Sequence, residues 1–357
     1  MILILSGPGD LHADVLESEL QTRGVPFARF DLAEFPDRAR CSVTLDGTGA
    51  VVGRLRVGGV EIALQTVSAI WVRRPGLPGT TKPGFGSAAR AIVAADSLAV
   101  LNDLWWLLDV RRVPAGPDLI AQAAHKGRQL RRAAELGFQV PATLTGNDPD
   151  CFLDFVGSDP GGFVTKRAAP SQRLADENGE SIARYTEPLR PRDMVHAAAW
   201  QLCPTTVQRA VSKALELRVT VVGSRVFTAA IHSQEANHSR QDCRRFDLAH
   251  TPIRPFALPA KVTDRCVALV ASFGLNYGAI DLVVTPDGRF VFLEINPSGQ
   301  YLWIEQATGL PITSALADLL TDPGIDDDAP SVALPRSGNT DLVRPNAGLR
   351  PTPRRNR

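Results

Sequence analysis

Asp281, Glu294 and Asn296 are the residues of this sequence best spaced to do chemistry together. They interrupt two otherwise apolar stretches, "GAIDLVV" and "FVFLEIN", joined through "TPDGR". Asp-Gly at the centre of such a connection is a strong two-residue hairpin signal. A turn centred on Asp287-Gly288 sets Asp281 opposite Glu294, and Asn296, two residues on, shares the face of Glu294. Two carboxylates facing each other on apolar strands repel, and both are costly to desolvate. A hard divalent cation offsets both costs. The oxygen donors of Asp, Glu and Asn suit Mg²⁺, with phosphate oxygens completing its shell. The bland alternative is an edge strand that turns one carboxylate to solvent, and a one-residue register slip would separate the pair.

A second hairpin, turning at Gly223-Ser224, sets Arg218 opposite Ala229 and Glu216 opposite Ile231. Glu216 and Arg218 then stand on one face of a strand that is otherwise apolar. Arg218 could clamp an anion, and Glu216 could accept hydrogen bonds from a ribose. Alone, either is an ordinary strand-end charge. Lys126 and Lys166 (in "FVTKR") complete the constellation, although each taken singly reads as a solvated surface lysine.

Such residues need sheets to hold them. "MILILSG", "DLHADVLESELQTRGV" and "PFARFDL" read as strand, helix and strand, a βαβ opening with Asp10 as the helix cap. The loop "SGPGD" is not G-x-G-x-x-G and gives no evidence of a dinucleotide site. Strands are expected at 42–45, 51–57 and 69–76, and a helix through 87–100. One continuous helix is expected from residue 119 to Gly137, a hairpin tip at "DENGE" (176–180), and helices at 192–202, 263–273 and 311–320. From about residue 321 the chain has no aromatic residue and is rich in Pro, Asp and Arg, the composition of a disordered tail.

At 357 residues, two or three subdomains are expected. A net charge of +1 provides no global field toward nucleic acid or membrane. Five scattered cysteines without a CxxC pair indicate a reducing cytoplasm. The N-terminus lacks a basic n-region and reads as a strand rather than a signal peptide, and no apolar run approaches a membrane span.

Taken in order, "HKGRQLRRAAELGFQVPAT", "VTKR", "VQRAV…ELR" and "AIDLVV…FLEINP" resemble the ATP-grasp superfamily, over about residues 1–320. Within it, "KALELRVTVVGSRVF", "SQ…DCRRFD", "FLEINPSGQYLWIEQATGLPI" and "IWVRRPG" look like the graspetide synthetases, the peptide macrocyclases of microviridin-type pathways. The resemblance implies an α/β fold, α+β in its C-terminal half. Its parts would be a Rossmann-like domain at 1–115, a central ATP-grasp subdomain at 116–192, a C-terminal subdomain with the metal site at 193–320, and the tail at 321–357. A hairpin around 167–187 would grip a leader peptide. ATP and two Mg²⁺ ions would be the cofactors, and a ribosomally made precursor peptide the partner, with no nucleic acid or membrane and with a homodimer as a possible assembly.

Residue by residue, the resemblance gives Lys126 and Lys166 to the ATP phosphates. The backbone of Arg209, Ala210 and Val211 would hold the adenine edge, and Glu216 the ribose. Arg218 and Arg244 would stabilise the transferring phosphoryl group and the acyl-phosphate. Asp281, Glu294 and Asn296 would hold Mg²⁺. Two departures stand out: Arg209 fills a hinge position commonly taken by Glu, and Phe246 replaces an Asn found in related amino-acid ligases. The implied reaction activates an Asp or Glu side chain of the peptide as an acyl-phosphate, which a Ser/Thr hydroxyl or Lys amine displaces to close a ring. The alternatives are an ATP-grasp ligase adding an amino acid to a protein or metabolite, and a non-catalytic nucleotide-binding regulator. A Trp-bearing segment beside the metal site suits a bulky peptide, and a regulator would be expected to lose a metal ligand.

Overall fold

The computed structural model describes residues 1–159, 161–168, 174, 175, 181, 182, 186–233 and 251–322. The first strand, Ile2–Ser6, is buried throughout, because it lies inside a parallel sheet. The order of that sheet is Phe27–Phe30, Ile2–Ser6, Ala69–Arg74, Arg111–Val113. Ile2 and Ile4 enter one core with Trp71, while Leu3 and Leu5 enter another with Phe30 and Trp105. A strand covered on both faces needs an unbroken apolar run, which "ILIL" provides. Asp10 caps the helix Leu11–Thr22 as expected, accepting the His12 N–H at 3.0 Å. The next helix runs Ser87–Leu107, further than the expected 87–100, because Leu101, Leu104 and Trp105 prolong its buried stripe.

The central sheet is antiparallel, in the order Glu187–Pro188, Phe163–Arg167, Thr205–Arg209, Thr143–Gly146. Phe163 and Val207 on one face pack against Phe152 and Ala197. Leu174–Ala175 pairs antiparallel with Ser181–Ile182, and the expected tip at 176–180 lies outside the described residues. Helix is found at Pro191–Val195, followed by a 3₁₀ segment at Ala197–Leu202, where one helix was expected.

The C-terminal sheet is also antiparallel: Ile253–Pro255, Arg225–Ile231, Leu215–Val222, Tyr277–Val284, Phe290–Asn296. Leu217, Val219, Ile280, Leu282, Phe292 and Ile295 form its apolar face, under the helix Ala260–Ser272. The expected continuous helix after residue 119 is instead two, Pro117–Ala123 and Lys126–Glu135, both on this same core. His125 between them is extended (φ −73°, ψ 108°), and the Ala123 carbonyl is taken by the Gln129 amide at 2.7 Å. Ala, His and Lys are all helix-compatible, so hydrophobic periodicity passes over the break. The helices Leu302–Thr308 and Ile312–Thr321 join the N-terminal and C-terminal sheets in one shared core.

Candidate active site

Asp281 and Glu294 are Cα partners across the hairpin, as the sequence implied, but by a different route. The turn is one residue longer than expected: Gly288 donates to the Thr285 carbonyl and has φ +79°, and the Thr285 N–H bonds the Arg289 carbonyl. Near the turn Val284 therefore pairs with Phe290 and Leu282 with Phe292, which would leave Asp281 opposite Leu293. A β-bulge at Leu293 absorbs the extra residue and restores the Asp281–Glu294 pairing. Two departures from a regular hairpin cancel at the site.

Across the C-terminal sheet, Arg218, Asp281 and Glu294 stand in one transverse row on three adjacent strands. Arg218 Nη1 donates to Asp281 Oδ1 at 2.7 Å, and Lys126 Nζ donates to Glu294 Oε2 at 2.7 Å. The row reads plus, minus, minus, plus. Each carboxylate thus has a cationic partner on its outer side, so side-chain cations offset part of the burial cost that the sequence reading gave to a divalent metal. Glu216, on the same strand face as Arg218, takes Lys213 at 3.0 Å and Ser233 at 2.7 Å instead of pairing with it. Burial pulls the Arg218 pKa down, but the charge and hydrogen bond of Asp281 outweigh it and hold the guanidinium above its ordinary value. Asn296 Nδ2 lies 3.4 Å from Asp281 Oδ2. Two carboxylates at facing positions and a neighbouring amide are the donor set a hard divalent cation prefers, and this set fits Mg²⁺. Among the described residues no cluster of three His, Cys, Asp or Glu competes with it.

Lys126 owes its position to the helix break, which makes it the first residue of its helix. Gln129, one turn on and 3% exposed, ties that helix to the bulged strand: its amide donates to the Ile295 carbonyl and accepts the Ile295 N–H. On the facing sheet, Lys166 Nζ donates to Gln208 Oε1 at 2.8 Å, and Gln208 in turn donates to Thr143. Lys126, Leu130, Lys166, Gln208 and Leu293 line one pocket between the two sheets. Gln129 and Gln208 were missed from sequence. Gln208 had a signal, since it alternates with buried Val207 in "TTVQR"; Gln129, inside a polar helix, had none.

At the hinge, the Arg209 N–H bonds the Ala142 carbonyl and the Ala210 N–H the Gly162 carbonyl. Two of the three backbone N–H groups at the expected adenine-edge positions are therefore already bonded within the protein. The Arg209 side chain turns away to Asp159 at 2.9 Å. Arg244 and Phe246 lie outside the described residues, so the expected second arginine is not placed.

No family model matches the sequence, and no curated protein does. Solved structures do. Macrocyclase MdnC from Microcystis aeruginosa MRC, bound with precursor peptide MdnA, is 30% identical with a TM-score of 0.78, over 89% of this chain and 98% of that one. Macrocyclase MdnB from the same organism is 28% identical, TM-score 0.73, over 90% and 99%. A RiPP-associated ATP-grasp ligase of Chryseobacterium gregarium, in complex with ADP and a leader and core peptide, is 25% identical with a TM-score of 0.82, over 90% and 96%. With that identity sustained along nearly the full length of MdnC, and with the charge row and lysine-lined cleft in place, this chain belongs to the graspetide-type ATP-grasp macrocyclases.

Proposed function

We propose that the protein is an ATP-dependent macrocyclase of a ribosomally made precursor peptide, and that the residues gathered in the cleft carry the reaction. The observation that supports this most is the 2.7 Å bond from Lys126 to Glu294, which joins a lysine of the pocket it shares with Lys166 to the row of charges proposed to hold the metal. Lys126 and Lys166 bind the ATP phosphates, Val211 with its neighbours Arg209 and Ala210 receives the adenine, and Glu216 takes the ribose through Oε2. Asp281, Glu294 and Asn296 hold Mg²⁺, which when bound screens the phosphate charge and polarises the transferring phosphoryl group.

A carboxylate oxygen of the peptide attacks the γ-phosphorus, and ADP leaves. The hydroxyl or amine of a second side chain then attacks the carbonyl carbon, loses its proton, and expels phosphate. Arg218 keeps a fixed positive charge at the cleft floor during both transfers, and Arg244 is assigned the same task from the resemblance alone.

The working division is 1–115, 116–192 and 193–320, with the helices of 117–135 lending their apolar faces to the C-terminal sheet. The hairpin around 167–187, in which Leu174–Ala175 pairs with Ser181–Ile182, is the proposed grip for the leader. Exposed Ile92, Val100 and Trp106 on the long N-terminal helix support a homodimer. Among the described residues no helix is long and apolar enough to cross a membrane; the scattered cysteines without a CxxC pair support a cytoplasmic setting, and the near-zero net charge supports a peptide rather than nucleic acid as the partner.

The test is mass spectrometry of the peptide encoded by the short reading frame beside this gene, after incubation with enzyme, ATP and Mg²⁺. The expected product has lost one water per ring, with one ADP released for each. Addition of an amino-acid mass would assign the protein to the amino-acid ligases, and absence of ADP to the non-catalytic regulators.

A further inference from the structure

The turn that follows the metal ligands, residues 297–300, makes no regular ladder of its own, yet three successive carbonyls in it are held from outside. Ser298 accepts from Arg73 Nη1 at 2.5 Å, Gly299 from the Tyr277 hydroxyl at 2.7 Å, and Gln300 from Arg218 Nη2 at 3.1 Å. The turn is pressed tightly against the sheet. A Cβ at Gly299 would lie 2.3 Å from that of Ala279 and 3.0 Å from Arg218 Nη2. Tyr277 is a dependable donor because burial pushes its hydroxyl up to about 12.

Arg73 comes from the other end of the chain, at the close of the strand Ala69–Arg74 in the N-terminal sheet. Its side chain is 2% exposed and pairs with Asp10 at 3.2 Å. Asp10 is itself fixed as the cap of the first helix, with its oxygens also taken by Ser6 and the His12 N–H. The N-terminal domain therefore reaches the turn beside the metal region through a buried guanidinium, anchored behind by Asp10 and bonded ahead to Ser298. Two carbonyls further along, the same turn holds Arg218, and Arg218 holds Asp281. A buried arginine leaving two nitrogens, Nε and Nη2, without hydrogen bonds is costly. Stability alone would be served as well by an apolar side chain at this position.

We propose that Arg73 is a positioning residue for the ligase reaction: it fixes the 297–300 turn from the N-terminal domain and thereby sets the Arg218–Asp281 pair for Mg²⁺ and the phosphoryl group. This rests on the macrocyclase reading for its consequence in turnover, but not for its consequence in metal-dependent nucleotide binding.

The experiment compares wild type, Arg73→Lys, Arg73→Ala and Gly299→Ala. It reads melting temperature, ADP affinity by calorimetry with and without Mg²⁺, and kcat and KM for ring formation as Mg²⁺ is varied. Lys keeps the charge near Asp10 but cannot span Asp10 and Ser298 as the planar fork does. The expected result for Arg73→Lys is a folded enzyme whose ADP affinity without Mg²⁺ is unchanged. Its Mg²⁺-dependent gain in affinity should fall about tenfold and kcat by a similar factor, with KM for the peptide unmoved. Gly299→Ala, which displaces the turn from its other side, should show the same split. Should Arg73→Ala fail to fold, these two variants carry the test. A wild-type Mg²⁺ requirement in Arg73→Lys, or activity lost only in proportion to folded protein, overturns the proposal. Failure of wild type to cyclise any peptide would remove the macrocyclase reading while leaving the ADP measurement to decide this one.

Discussion

Arg218 and Asp281 occupy facing positions on adjacent strands and meet at 2.7 Å, so a buried cation of the charge row is balanced by one of the residues proposed to hold the metal. The second arm of the guanidinium goes to the Gln300 carbonyl. One planar fork thus serves two partners in fixed directions, which a point charge cannot do. Arg218→Ala is expected to lower ring formation about 100-fold or more, the scale of losing one fixed charge-stabilising donor. ADP binding without metal should persist. Arg218→Lys should recover little of the loss. Peptide mass spectrometry and calorimetry on the two variants measure this, and near wild-type ring formation by Arg218→Lys would show that charge alone suffices.

The two carboxylates of the row are not equivalent in stability. Asp281 balances an arginine whose side chain is 9% exposed, whereas Glu294 balances Lys126 at 28%, which water can reach. Asp281→Asn leaves a buried guanidinium with a neutral partner and is expected to cost about 3 kcal/mol. Glu294→Gln is expected to cost less than about 1 kcal/mol. Both should abolish Mg²⁺-dependent turnover. Urea unfolding without metal separates them. Equal stability of the two variants would mean that Arg218 finds another anion, and repulsion between the carboxylates would then be the larger effect.

The bulge yields a prediction that a regular hairpin would not. Leu293 is the extra residue, and its side chain lines the pocket with Lys126 and Lys166. Deleting Leu293 leaves Phe292, Glu294, Ile295 and Asn296 in strict alternation, with Asp281 still opposite Glu294. The variant should fold and keep its metal ligands while losing an apolar wall of the nucleotide pocket. KM for ATP is expected to rise about tenfold, the scale of one aliphatic side chain, with kcat less affected. Loss of turnover at saturating ATP would show that the bulge aims Glu294 rather than shaping the pocket.

Much of the site was legible because strand alternation exposes polar residues that do not belong. Asp281, Glu294 and Asn296 stand out in apolar text, and the second hairpin's register, Arg218 to Ala229 and Glu216 to Ile231, is as the turn implied. The pairing partners were not legible. Arg218 meets Asp281 only because the strands Leu215–Val222 and Tyr277–Val284 are neighbours, and no local pattern fixes which strands adjoin. The helix break before Lys126 was hidden for a different reason. It is stabilised by Gln129 acting on Ala123 and on Ile295, and the latter contact is 166 residues away. Arg73 was visible in "IWVRRPG", but its target is a backbone carbonyl, and carbonyls carry no sequence signal.

His12 should make the joint between the N-terminal helix and the metal region sensitive to acid. Its Nε2 accepts the N–H groups of Tyr301 at 3.1 Å and Leu302 at 3.4 Å, so the ring has to be neutral there, with Nδ1 toward Asp10 at 3.3 Å. Asp10 and the Tyr301 ring, 5.0 Å away, face it together with the charges of Arg73 and Arg74. Burial is the largest influence and lowers the His12 pKa, opposed by Asp10 and assisted by the two arginines. The unfolded chain therefore takes up a proton near pH 6.5 that the folded protein refuses until lower pH. Stability from this group is complete above about pH 6.5 and is lost as pH falls toward the depressed folded value. Asp10, also held below its ordinary value, adds a separate loss only under stronger acid. The melting temperature should thus fall between pH 7 and 5. In His12→Gln, whose side-chain oxygen can accept the Tyr301 N–H without titrating, that fall should be shallower. Parallel pH profiles for the two proteins would place the acid sensitivity elsewhere.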